Sequence, residues 1–318
     1  MESKRELTFD VIILGAGPAG FSAAIFASRS CCNTAIIDTN IFGGQPSNYL
    51  EIENYPGFLS SNSCELMEKF EEHADKFGTQ KFPMTEIQKI NLSPLYKEIE
   101  TPDTVFKAKT VIIATGASPK KLNIKGEAEF KCRGVSYCAV CDGAFYKDKT
   151  LAVVGGGNSA LEEAIYLTKF AKKVYVIHKR NEFRADKIIQ QRAKENPKIE
   201  FVLNAMPIEI AGSSTVENII LKNVETENQF SLQVDGVFPY IGVEPNTEMF
   251  SGQLKLTKEG FIETDVNMQT SIAGVYAAGD VRNTPLRQVI TAAADGACAA
   301  CNAVKYAETQ EYKQLSTN

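Results

Sequence analysis

The chain has 318 residues, 44% hydrophobic and 23% charged, with a net charge of −5. That length suits two domains, and the acidic balance excludes bulk nucleic-acid binding. No apolar run reaches the roughly 18–20 residues that span a bilayer, and Met1 to Thr8 lacks the apolar core of a secretory signal. Eight cysteines in so long a chain do not read as a secreted disulfide framework. A cytoplasmic protein is expected.

Phe9 to Leu14 is a short apolar run with β-branched residues and reads as a buried strand. It leads into Gly15-Ala16-Gly17-Pro18-Ala19-Gly20, and Phe21 to Ser30 reads as a helix. Thr34 to Ile37 is a second strand, ended by Asp38. This acid stands 23 residues after Gly15, close to the spacing of one that holds an adenosine ribose. Glycines in such a turn let backbone N–H groups approach a pyrophosphate, and the helix N-terminus adds partial positive charge. The alternative is a turn that only packs helix on strand.

Gly43-Gly44-Gln45 and Glu53-Asn54-Tyr55-Pro56-Gly57 are turn-rich and read as ligand-lining. Glu65 to Phe77 has helical spacing, and its His73 reads as a surface histidine. Ile87 to Phe106 alternates loosely, as strands of a meander do. Val111-Ile112-Ile113-Ala114-Thr115-Gly116 is a buried strand stopped by glycine, the expected end of a strand at a dinucleotide crevice.

The pattern then begins again, 140 residues after the first fingerprint. Leu151 to Val154 is a strand, Gly155-Gly156-Gly157-Asn158-Ser159-Ala160 a second glycine turn, Leu161 to Phe170 a helix and Val174 to Ile177 a strand. This strand ends in His178-Lys179-Arg180, with Arg184 one helical turn further on, where the first unit has an acid. Cations there suit a 2′-phosphate, so NADPH is preferred to NADH; the alternative is a solvated basic face. Ile199 to Phe238 reads as short meander strands. Crossings near Ala117-Ser118-Pro119 and between Pro239 and Pro245 place the second unit as an insertion in the first. Val275 to Ala278 is a strand ending in Gly279-Asp280, and the helix from about Leu286 to Tyr306 belongs to the first unit. The fold class is α/β: two Rossmann-like three-layer dinucleotide-binding domains, 1–117 with 244–318, and 118–243.

Just upstream of the second glycine turn lies Tyr137-Cys138-Ala139-Val140-Cys141-Asp142-Gly143. Two cysteines at this spacing close a small disulfide, act as a dithiol, bind zinc or serve structure. Asp142 suits proton transfer to and from thiols, or caps a helix. Cys298 and Cys301 form a second such pair in an Ala-rich helical run and read as small buried residues. Cys31 and Cys32 read as structural, and Cys132 as a bystander or off-pathway partner. Zinc shared by the two pairs would need ligands from different units, so no metal is expected.

Taken in order, Gly15 to Gly20, Ala114-Thr115-Gly116, Cys138 to Gly143, Gly155 to Ala160, His178 to Arg184, Gly279-Asp280 and Arg287-Gln288 resemble the low-molecular-weight thioredoxin reductases over nearly the whole chain. One departure is Lys179, where that family usually has arginine; lysine supplies charge without the planar fork. The resemblance implies FAD in the first unit, held with the help of Gly43, Gly44, Gln45, Asn54, Asp280, Arg287 and Gln288. It implies NADPH in the second unit and a homodimer. It implies electron flow from NADPH to FAD, to a Cys138–Cys141 disulfide, and on to thioredoxin or a thioredoxin-like protein. Cys141 is then the sulfur beside the flavin, and Cys138 attacks the partner disulfide. Since disulfide and nicotinamide share one unit and one flavin, that unit is expected to rotate about 117–121 and 242–246. Weighed beside this are a reductase of a peroxiredoxin system, a reductase with another electron donor, and a non-enzymatic redox sensor.

Overall fold

The structure is a computed structural model that describes residues 4–48, 51–52, 54–58, 61–93 and 97–315, without the side chains of 48, 51, 61, 141 and 310–315. The chain divides into two compact units, Met1–Ser118 with Glu244–Asn318, and Pro119–Val243.

The first unit opens with β1 (Arg5–Leu14), α1 (Pro18–Arg29) and β2 (Thr34–Ile37). A two-stranded pair follows, β3 (Glu51–Ile52) and β4 (Ser61–Asn62), then α2 (Ser63–Lys76) and β5 (Gln80–Phe82). The Asn62 side chain caps α2, accepting the Cys64 N–H at 3.0 Å, which satisfies an otherwise orphaned donor. Next come β6 (Lys89–Leu92), β7 (Lys97–Glu100), β8 (Thr104–Ile113) and β9 (Ala117–Pro119).

The second unit contains α3 (Ala139–Asp142), β10 (Thr150–Gly155), α4 (Asn158–Leu167), β11 (Lys173–Ile177) and α5 (Lys187–Glu195). It continues with β12 (Ile199–Val202), β13 (Ala205–Gly212), β14 (Val216–Asn223), β15 (Gln229–Gln233) and β16 (Gly236–Tyr240). The chain then forms β17 (Val243–Pro245), which pairs with β9, followed by β18 (Val275–Ala277) and α6 (Val289–Leu315).

In the first unit the sheet runs β5-β2-β1-β8-β7-β6, with β18 also on β8. Alternation along β1 splits its side chains between two cores. Val11 and Ile13 pack with α1, α2 and α6 residues such as Phe21, Met67 and Ala299. Ile12 and Leu14 pack with Ile99, Phe106, Phe250 and Ile262 on the other face. Burial on both faces is why the strand reads as a continuous apolar run, and each such side chain contributes about 1.5–3 kcal/mol.

One strand is longer than the sequence pattern implies. The end of the expected meander and the buried run at Val111 are a single ten-residue strand, β8. Its first half is antiparallel to β7 and its last three residues are parallel to β18. Residues 104–109 are buried at alternate positions and 110–113 at every position, so one strand carries two patterns.

The second unit has the parallel sheet β12-β11-β10-β16. Leu151, Val153, Val174 and Val176 face α4 and α5 residues such as Leu161, Ala164 and Ile189. Ala152, Val154 and Ile177 face Ile210, Ile219 and Leu221 of the antiparallel sheet β13-β14-β15. Helices, parallel sheet and antiparallel sheet thus make three layers. Among the described residues, no helix is long and apolar enough to cross a membrane.

Candidate active site

In the first unit the glycine turn joins β1 to α1. Gly15 has φ +106°, and a Cβ there would strike the Ala114 carbonyl, so only glycine fits. Its N–H donates to Ile37 O at 2.8 Å. Gly17 is the N-cap of α1 and Pro18 follows it; no side chain caps this end, which leaves first-turn donors for a ligand. Ala19 is buried in the same turn.

Asp38 ends β2 with both carboxylate oxygens engaged. One accepts the Ala16 N–H at 2.7 Å and the other the Asn40 N–H at 2.8 Å. The acid is therefore clamped to the glycine turn. Gly43 donates its N–H to Ala16 O at 2.9 Å, and Gly44 lies against Gly17. Gln45 starts a 3₁₀ turn to Asn48. Glu53 lies outside the described residues, but Asn54 donates to Gln288 Oε1 at 2.9 Å.

Ala114 N–H bonds Leu14 O at 2.7 Å, beside Gly15. The Thr115 hydroxyl donates to Asn246 O at 2.8 Å, and Asn246 N–H donates to Gly116 O at 3.0 Å. Gly279 and Asp280 form a 3₁₀ turn. Gly279 N–H donates to Asp295 Oδ2 at 3.2 Å, and Arg282 Nε lies 3.0 Å from the same oxygen. Burial lifts the Asp280 pKa to about 6, opposed by the Arg287 charge. The Arg287 guanidinium lies over the Phe261 ring at 4.3 Å, and its buried Nε has no hydrogen-bond partner among the described residues. Asn246 and Asp295 are site-supporting residues that sequence reading missed as such. Asp295 has no local signal, since its partners come from another segment.

In the second unit Gly155 ends β10, and Gly156 is pressed against the His178 ring, which a Cβ would strike. A Cβ on Gly157 would meet nothing within 4 Å, and no side chain caps α4. An open glycine at an uncapped helix start fits a phosphate-bearing ligand. Ser159 lies half-buried in the first turn. The Asn158 amide is engaged: it donates to Asp186 Oδ2 at 2.7 Å and accepts the Asp186 N–H at 2.8 Å. These two bonds fix its orientation and use one of its two N–H donors and one lone pair of its oxygen.

The His178 ring stacks on Phe183 at 5.5 Å. Its buried Nε2 has no partner among the described residues. Burial holds its pKa below the ordinary value, helped by Arg184, Arg180 and Lys179. Lys179, Arg180 and Arg184 are exposed. The segment holding Arg184 is not helical, contrary to the spacing argument; β11 ends at Ile177 and α5 begins at Lys187. Instead, Arg184 N–H donates to Gly156 O at 2.8 Å, which ties the basic cluster to the glycine turn.

The redox segment lies in this same unit. Cys138 is half-buried and disulfide-bonded; the Cys141 side chain lies outside the described residues. Asp142 N–H donates to Cys138 O at 3.1 Å as α3 closes. A Cβ on Gly143 would lie 3.1 Å from Leu167, so this segment packs on α4. Two residues on, Phe145 is 82% exposed. Cys31, Cys32, Cys64, Cys132, Cys298 and Cys301 are not disulfide-bonded, and Cys298 is half-buried and Cys301 exposed rather than buried as their helical run suggested. Among the described residues, no cluster of three or more His, Cys, Asp or Glu is arranged to hold a metal.

Residues 9–296 match the family model of the pyridine nucleotide-disulphide oxidoreductases. The chain belongs to this family. As a pyridine nucleotide-disulphide oxidoreductase it is similar to the thioredoxin reductase of Bacillus subtilis, with 45% identity covering 96% of each chain. It is 44% identical to that of Peptoclostridium acidaminophilum, covering 95% of this chain and 98% of the relative. Among solved structures it is similar to Lactococcus lactis thioredoxin reductase in its FR conformation. That likeness has a TM-score of 0.92 and 42% identity, covering 95% of this chain and 99% of the other.

Proposed function

We propose that this chain is a thioredoxin reductase that takes electrons from NADPH through FAD. The observation that carries the reading is a disulfide-bonded Cys138 built into the same unit as the glycine turn, His178 and the basic cluster. FAD, when bound, accepts a hydride from the nicotinamide and returns two electrons to a disulfide.

The first unit would hold FAD. The Gly15–Gly17 turn and the start of α1 take the pyrophosphate. Asp38 faces the ribose with the lone pairs its two backbone bonds leave over. Asp280, Arg287 and the Asn54–Gln288 pair hold the remainder. The second unit would hold NADPH, with Gly157 at the pyrophosphate and Lys179, Arg180 and Arg184 at the 2′-phosphate. A neutral imidazole at His178 adds a hydrogen bond there without another charge. This intact cradle favours NADPH over another electron donor.

Once the disulfide is opened, the Cys138 thiolate attacks a disulfide of thioredoxin or a thioredoxin-like protein, and Cys141 resolves the mixed disulfide. Asp142 carries protons to and from these sulfurs. The exposed Phe145 gives a bulky partner an apolar contact beside them. The reading includes a cytoplasmic homodimer.

The test is anaerobic titration of the purified yellow protein with NADPH, then with thioredoxin. Wild type is expected to bleach and to reduce thioredoxin. Cys138→Ser is expected to bleach but to leave thioredoxin oxidised. A protein that stays colourless after FAD is supplied, or a Cys138→Ser variant that reduces thioredoxin normally, refutes the reading.

A further inference from the structure

The redox segment is fastened on both sides by tyrosine hydroxyls that belong to neither nucleotide cradle. Tyr137, just before Cys138, donates its hydroxyl to Glu127 Oε1 at 2.6 Å. Glu127 is 4% exposed. Its carboxylate also accepts the Leu122 N–H at 2.7 Å and the Asn123 N–H at 2.6 Å. Three donors on one buried carboxylate make a strong, directional anchor. Burial, reinforced by Glu127, keeps the Tyr137 phenol protonated well above its ordinary range, so it stays a donor.

On the other side, the Tyr240 hydroxyl accepts the N–H of Ala139, the residue after Cys138, at 3.0 Å. Tyr240 stands opposite Gly155 in the pairing of β16 with β10. Between the two, the Cys138 N–H donates to Ser136 Oγ at 3.1 Å. Each of residues 137, 138 and 139 is thus held through a side chain.

We propose that Tyr137, through Glu127, and Tyr240 are positioning residues of the redox pair, and that their grip sets how readily the Cys138 disulfide opens. Closing a disulfide within a chain depends on how concentrated each thiol is at the other. A fastened segment keeps the two sulfurs together and favours the closed form. Loosening it leaves the electron count unchanged but lowers that local concentration, so the bond opens more easily. The inference rests on Cys138 being the working disulfide, yet its test needs neither NADPH nor thioredoxin.

The holoprotein is equilibrated with mixtures of reduced and oxidised dithiothreitol. In this exchange the protein S–S bond breaks and the cyclic S–S bond of oxidised dithiothreitol forms. Two electrons and two protons pass to the protein sulfurs. Quenching with a maleimide and weighing the Cys138 peptide reads the reduced fraction. Loss of one hydrogen bond predicts a shift of about three- to tenfold towards easier reduction for Tyr137→Phe and for Tyr240→Phe, and a larger shift for the double variant. Tyr175→Phe, which removes a phenol hydroxyl elsewhere in the same unit, is expected to titrate as wild type. Should a phenylalanine variant not fold, Glu127→Gln carries the same test with a shift in the same direction. Variants that titrate as wild type, or a Tyr175→Phe shift of equal size, overturn the proposal. A protein that shifts as expected but leaves thioredoxin oxidised overturns only the functional reading above.

Discussion

Replacing Glu163 by glutamine tests how the second unit tolerates an acid in its interior. Glu163 lies on α4, is 4% exposed, and its Oε2 has no hydrogen-bond partner among the described residues. Burial, with repulsion from Glu162 second, raises its pKa from 4.5 to about 8. Between those limits the native protein keeps a proton that the unfolded chain has released. Stability attributable to this group is therefore greatest below pH 4.5, falls as pH rises, and levels off above about 8. A tenfold change in acidity is about 1.4 kcal/mol, so the penalty at pH 7 is on the order of 3 kcal/mol. Glutamine has the same shape and does not titrate. Any fixed cost of burying its amide offsets the whole curve without changing its slope. In urea unfolding followed by circular dichroism, the variant is expected to gain on wild type by about 3 kcal/mol between about pH 5 and about pH 7.5. A difference that stays constant across that range refutes the reasoning.

Other outcomes concern the two cradles. Gly156→Ala places a Cβ against the His178 ring, 2.6 Å from Nε2, and is expected to weaken NADPH binding at least about tenfold by calorimetry while flavin content holds. Arg180→Gln with Arg184→Gln is expected to lower kcat/KM for NADPH by roughly 10- to 100-fold and to leave NADH nearly unchanged, because the phosphate loses its charge-assisted bonds. Asp295→Asn weakens the acceptor of the Gly279 N–H and removes the charge that pairs with Arg282. Hydrogen bonds to a charge contribute about 1.5–3 kcal/mol, so at least tenfold weaker FAD retention is expected, read as the visible-to-ultraviolet absorbance ratio after dialysis.

Both glycine turns, the strands that enter them and the helices that leave them were legible in the sequence, as were the cysteine pair and the basic cluster. Each is written in neighbouring residues: strand alternation, glycines at fixed spacing, a charge at a strand end. The resemblance built on those residues agreed with the family match and with the thioredoxin reductases to which the chain is similar. Local spacing misled at Arg184, where no helix forms, and at β8, whose two burial patterns read as two strands.

Which polar groups are already satisfied was decided only by the tertiary structure. Asp38 is tied to Ala16, the Asn158 amide to Asp186, and Asn54 to Gln288 across 234 positions. Glu127 reaches Tyr137, and Asp295 reaches Gly279. A side chain spends its hydrogen bonds on whatever packing brings within about 3 Å. Such partners arrive from distant segments when the sheets and helices close on their cores, so no pattern among near neighbours announces them. Backbone conformation follows largely from short-range sterics and hydrophobic period, and that part of the protein was set by sequence alone.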